Sequence, residues 1–163
     1  MPMLSGRIRL SAITAMLAAF LACAAAFAQT PAELLIGRWD LVSQRRVVDG
    51  KSNPDRPVSD ENRSTIDFGS DGTWRISASS HQGSRGTYRW LGPGRIESTT
   101  IKAPIPAGNG ARRTLSVEVD ERQLTLTVTL SAEELKKSGG QARPDVSYPQ
   151  ELVVVSTFRR LPD

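Results

Sequence analysis

Cysteine and histidine are nearly missing from this chain. Cys23 is its one cysteine and His81 its one histidine. A single thiol excludes an internal disulfide, and this pair cannot make an ordinary zinc set. His81 lies in the polar stretch Ser79-Ser80-His81-Gln82-Gly83-Ser84-Arg85, with no Gly-x-Ser-x-Gly elbow beside it. It is expected to be a solvated loop residue. Asp60, Asp67 and Asp71 do not follow the spacing of a calcium loop. Gly83-Ser84-Arg85-Gly86 lacks the Lys-Ser/Thr ending of a phosphate loop. Glu97, Glu118 and Asp67 alternate with apolar neighbours, which favours an outer face; a carboxylate-based hydrolase or isomerase stays as the third-ranked reading, because distant strands can bring carboxylates together. No catalytic motif, metal site or cofactor is implied, and the expectation is a protein that is not an enzyme. A concentrated basic face is missing too. The formal charge is +4, but the basic residues fall in scattered pairs such as Arg45-Arg46 and Arg112-Arg113. That pattern argues against nucleic-acid binding.

Only one long apolar run is present, and it lies at the N-terminus. Arg7 and Arg9 precede an almost unbroken apolar stretch from Ala12 to Ala26, and Ala26-Phe27-Ala28 follows with small residues at −3 and −1. This is the layout of a secretory signal peptide over residues 1–28, cleaved after Ala28. The run is short for a membrane span of about 20 residues. Phe20-Leu21-Ala22-Cys23 loosely matches a lipobox, which would make Cys23 a lipidated N-terminus; the better-formed Ala-x-Ala site favours cleavage at Gln29. The expected location is periplasmic or secreted, with residues 29–163 forming one domain and no membrane span.

Period-2 alternation fills the rest of the chain. Leu115, Val117 and Val119 alternate with polar residues, as do Leu124, Leu126, Val128 and Leu130. Asp120-Glu121-Arg122-Gln123 joins them as a hairpin. Further strands are predicted over Gly37–Asp49, Ser64–Phe68, Thr73–Ala78, Gly86–Leu91, Arg95–Ile101 and Glu151–Arg160, with Asp-Gly and Pro-Gly turns at several junctions. Gly50–Asn62 and Lys102–Ala111 are expected to be long loops. Helical signal is confined to a turn near Glu33–Ile36 and a capping box at Ser131 and Glu134, stopped by Gly139-Gly140. Short strands at even spacing predict a barrel or a sandwich.

Four motifs in order carry a resemblance. They are Gly37-Arg38-Trp39-Asp40-Leu41-Val42-Ser43, Phe68-Gly69-Ser70-Asp71-Gly72-Thr73-Trp74, Gly86-Thr87-Tyr88-Arg89-Trp90, and Thr157-Phe158-Arg159-Arg160. Together they resemble the bacterial lipocalin-like domain family. The resemblance implies an all-β fold: an up-and-down antiparallel barrel of about eight strands, with a short helix before the last strand. It also implies that Trp39 plugs the closed end beneath a basic residue, Arg159 or Arg160. The Thr-Asp-Tyr segment of lipocalins proper is missing, and their helix after the eighth strand has no counterpart here.

Alternation gathers Phe68, Trp74, Tyr88 and Trp90 on one interior wall. These four are the candidate ligand-binding residues, with the Tyr88 hydroxyl as a polar handle for a small hydrophobic or amphipathic molecule. The same side chains could instead fill the barrel. The protein would then be a structural or interaction module of the cell envelope, acting through its two long loops. The sequence fixes neither the ligand nor the oligomeric state.

Overall fold

Neighbouring strands pair antiparallel along the chain, and the last strand returns to the first. The computed structural model describes residues 29–59, 62–79, 83–138 and 147–162. The expected leader with Cys23, and also Asp60, His81, Gly139 and Gly140, lie outside the described residues. A short helix α1 (Pro31–Leu35) precedes β1 (Gly37–Val48). Then follow β2 (Lys51–Ser52), β3 (Arg56–Pro57), β4 (Ser64–Phe68), β5 (Thr73–Ala78), β6 (Ser84–Gly92) and β7 (Arg95–Lys102). A 3₁₀ turn (Pro106–Gly108) leads to β8 (Arg112–Val119) and β9 (Gln123–Ser131), and helix α2 (Ala132–Ser138) comes before β10 (Glu151–Arg160). β10 pairs with β9 on one side and with β1 on the other, from Trp39 opposite Arg160 to Val48 opposite Leu152. The ring of β1 and β4 to β10 is therefore a closed 8-strand barrel, the fold that the resemblance implied. Closure leaves no exposed edge in the ring.

The turns form where the sequence supplies the side chains for them. The Asp71 carboxylate accepts bonds from the Thr73 amide at 3.0 Å and the Thr73 hydroxyl at 2.7 Å, and Gly72 takes φ +77° between them. Asp120 accepts bonds from the Arg122 and Gln123 amides, both at 2.7 Å. The capping box also forms. Glu134 accepts from the Ser131 amide and hydroxyl at 2.9 Å, and the Ser131 hydroxyl accepts from the Glu134 amide at 3.3 Å.

One expected loop contains strands. Within Gly50–Asn62, β2 and β3 pair with the far half of β1, and the Asn53 amide reaches the Arg46 carbonyl at 2.8 Å. β4 pairs only with Gly37–Asp40, so the remaining backbone groups of that β1 edge need partners, and this segment supplies them. Its prolines are tolerated because the segment is peripheral.

The core fills one end of the barrel. Leu35, the last residue of α1, is completely buried there together with Trp39 and Leu124. The Trp39 indole donates to the Leu35 carbonyl at 2.9 Å, and the Arg160 guanidinium lies 4.2 Å above the indole ring. Arg160 also donates to the carbonyls of Leu34 and Ile36, tying α1 to β10. A Cβ at Gly37, where φ is +128°, would stand 2.8 Å from the Arg160 guanidinium. The basic partner of the plug is therefore Arg160. Arg159 faces outward to Asp40 at 3.5 Å.

Candidate functional site

The barrel is not filled along its whole length. A cavity of about 220 Å³ lies inside it, reaching from Phe68 and Trp74 up to Thr100 and Val128 near the end opposite Trp39. Its lower lining is apolar: Ile66, Phe68, Trp74, Ile96, Leu126 and Phe158. Toward the open rim polar side chains enter the lining, Ser98, Thr100, Ser156 and Arg113, among the apolar Ile76, Ala111 and Val128.

Alternation explains most of this collar. Ser98 and Thr100 follow Ile96 at steps of two on β7, and Arg113 precedes Leu115 and Val117 on β8. A β-bulge between Leu41 and Ser43 adds to it. Strict alternation from Trp39 would turn Ser43 and Arg45 inward. The bulge puts Gln44 opposite Ser156 instead, and the Gln44 amide donates to the Ser156 hydroxyl at 3.3 Å. The Gln44 oxygen in turn accepts from Arg46 at 3.4 Å. At the rim, Glu134 is held below its usual carboxylate range, first by its bonds to Ser131 and further by the positive charge of Arg113.

Of the four aromatics singled out from the sequence, Phe68 and Trp74 line the cavity. Tyr88 and Trp90 pack against the buried core and are not among the lining residues. The Tyr88 ring meets Phe68 edge-on at 5.1 Å, and its hydroxyl donates to the Gly69 carbonyl at 2.8 Å. Burial raises the Tyr88 pKa, and the negative charge of Asp71 adds to the rise. The Trp74 indole donates to the Thr87 carbonyl at 3.1 Å. Sequence reasoning missed Ser98, Thr100, Arg113, Ser156 and Phe158. Arg113 was within reach of it, since the alternation of Leu115 and Val117 extends back to that position.

Among the described residues, no group of three His, Cys, Asp or Glu side chains could hold a metal ion, and no helix is long and apolar enough to cross a membrane. No family model matches the chain, and no curated protein matches it. Among solved structures, the chain is similar to a lipocalin-like protein from Bacteroides uniformis. The two share 13% identity and a TM-score of 0.45, over 78% of this chain and 98% of that one. The barrel itself rests on the strand pairings above, not on that likeness.

Proposed function

We propose that this barrel binds a small amphipathic molecule, apolar end down, in the cavity between the Trp39 plug and the open rim. The observation that carries this reading is the placement of the polar lining groups: Phe68, Trp74 and Phe158 make an apolar floor, and Ser98, Thr100, Ser156 and Arg113 all lie toward the rim. An apolar cavity of about 150 Å³ holds a benzene ring, whereas pockets for drug-sized ligands begin at about 300 Å³. The ligand that suits this cavity therefore has one ring or a short chain, with a hydrogen-bond-accepting head at the rim. In this reading Phe68 and Trp74 touch the ligand, while Tyr88 and Trp90 hold the wall behind them. The role is binding, not catalysis. Residues 1–28 are the export leader, and the working protein begins at Gln29 outside the cytoplasm.

A thermal-shift screen with short fatty acids, aromatic carboxylates and their neutral analogues tests the binding. A saturable rise in melting temperature is expected, because a ligand of the native state stabilises it by mass action. Quenching or a shift of tryptophan emission should accompany it, since Trp74 lines the cavity. If no compound of this size raises the melting temperature, the barrel is a filled module that works through its surface. Mass spectrometry of the exported protein tests the leader, and a mass that includes residues 1–28 would refute it.

A further inference from the structure

Three cations stand side by side on the outside of the barrel. Arg75 of β5 is opposite Arg85 of β6, and Arg85 is opposite Lys102 of β7. All three are exposed, and they border one shallow cleft together with Ser77 and Ser84. Like charges directly opposite each other in a sheet are destabilising. Elsewhere this outer surface sets cations against acids: Glu97 lies 2.8 Å from Arg89 and 3.8 Å from Arg112. Asp67 stands opposite Arg75 on its far side, but no acidic side chain is among the described residues that border the cleft. The row is built as if an anion were to complete it.

A second observation lies next to the first. Ile101 and Ile105 flank Lys102 in sequence and are 56% and 51% exposed, more than Val42 or Leu91. Both belong to the rim at the open end, where β7 gives way to the loop before β8. Exposed aliphatic side chains beside a cation row whose Arg85 and Lys102 face no acid across the sheet match a surface that is negatively charged outside and apolar beneath.

We infer that this rim docks on an anionic lipid bilayer. Arg75, Arg85 and Lys102 engage the phosphate-bearing headgroups, and Ile101 and Ile105 enter the boundary between headgroups and acyl chains. A soluble polyanion would complement the cations but would leave the isoleucines exposed. Docking in this way brings the cavity mouth to the membrane, yet it does not require that the cavity bind anything.

Vesicle flotation of the exported protein, its N-terminus read by mass spectrometry, tests the inference. Binding is expected to vesicles that mix phosphatidylglycerol with phosphatidylcholine, and not to phosphatidylcholine alone. High salt should release it, because screening shortens the reach of the charges. Each basic residue near such a surface is worth about 1 kcal/mol, or about fivefold in partition. Arg85→Gln/Lys102→Gln should therefore lower partition by about twentyfold or more. Ile101→Ser/Ile105→Ser should weaken it independently. Arg75→Gln provides a third variant should either double variant fail to fold by circular dichroism. The inference fails if neutral vesicles bind equally well, or if the charge variants bind like wild type. It also fails if polyphosphate binds while mixed vesicles do not, which would make the row a site for a soluble polyanion.

Discussion

Arg160 serves the closed end in three ways at once. It covers the Trp39 ring and donates to two carbonyls of the chain entering β1. Trp39 in turn spends its only polar atom on Leu35, so the largest buried side chain leaves no unsatisfied donor. Trp39→Ala should cost about 3–5 kcal/mol, the range for truncating a large buried aromatic, and urea melts of both proteins would show it. A loss below about 1 kcal/mol would match a surface position and would mean that Trp39 is not the plug. Gly86 has a different constraint. A Cβ there would stand 2.0 Å from the Thr99 carbonyl oxygen and 2.8 Å from the Trp74 ring. Gly86→Ala should lose about 2–3 kcal/mol by overpacking, despite being the smallest possible change. An unchanged denaturant midpoint would mean that the β7 backbone at Thr99 and the Trp74 ring both yield freely. At this scale the sequence was informative about Trp39 and silent about the crowding at Gly86. The Gly-x-Trp opening marks the first, whereas the crowding at Gly86 arises only when β6 pairs with β5 and β7.

Strands and turns were the most legible elements, because alternation and Asp-Gly or Asp-led turns are local signals. Ser64–Phe68, Thr73–Ala78 and Glu151–Arg160 form as expected from the pattern alone. β2 and β3 were not legible, since the reason for them is an unpaired stretch of the β1 edge and not their own polar sequence. The bulge at Leu41–Ser43 was hidden for a similar reason: it is a property of the β1–β10 register. The same turns predict acid sensitivity. Asp71 sits below its ordinary value of 3.8 through its bonds to Thr73, and Asp120 through the amides of Arg122 and Gln123. Glu134 sits below 4.5 through its bonds to Ser131. Such groups bind protons less readily when folded, so their stabilisation is present above the ordinary carboxylate range and lost as pH falls through the folded values. The melting temperature should be nearly level from neutral pH down to about 5 and then fall steadily in more acidic buffer. Asp71→Asn/Asp120→Asn should narrow the difference between neutral and acid melts. If the double variant loses as much on acidification as wild type, the turn carboxylates are not responsible.

The barrel runs from a sealed apolar end to an open end where Ser98, Thr100, Ser156 and Arg113 stand among apolar side chains. The sealed half was foreseeable from a Trp and an Arg far apart in sequence. The cavity was not, because its volume is a small difference between the space enclosed by the barrel and the side chains pointing into it. The polar groups toward the rim also make the proposed binding selective in a way that shape alone does not. A ligand whose apolar end rests on Phe68 and Trp74 presents its other end to Ser98, Thr100, Ser156 and Arg113. A hydrogen bond to a charged partner contributes about 1.5–3 kcal/mol, or roughly 10- to 100-fold in affinity. Arg113→Met should therefore weaken a carboxylate ligand by at least about tenfold while changing a neutral ligand of the same shape by less than about threefold. Titration of tryptophan emission with a matched acid and amide measures both affinities in one protein. Equal losses for the two ligands would reduce Arg113 to a packing role and leave the apolar floor as the whole of the recognition. A loss confined to the acid would establish that the barrel reads the charge at its rim and the shape at its base.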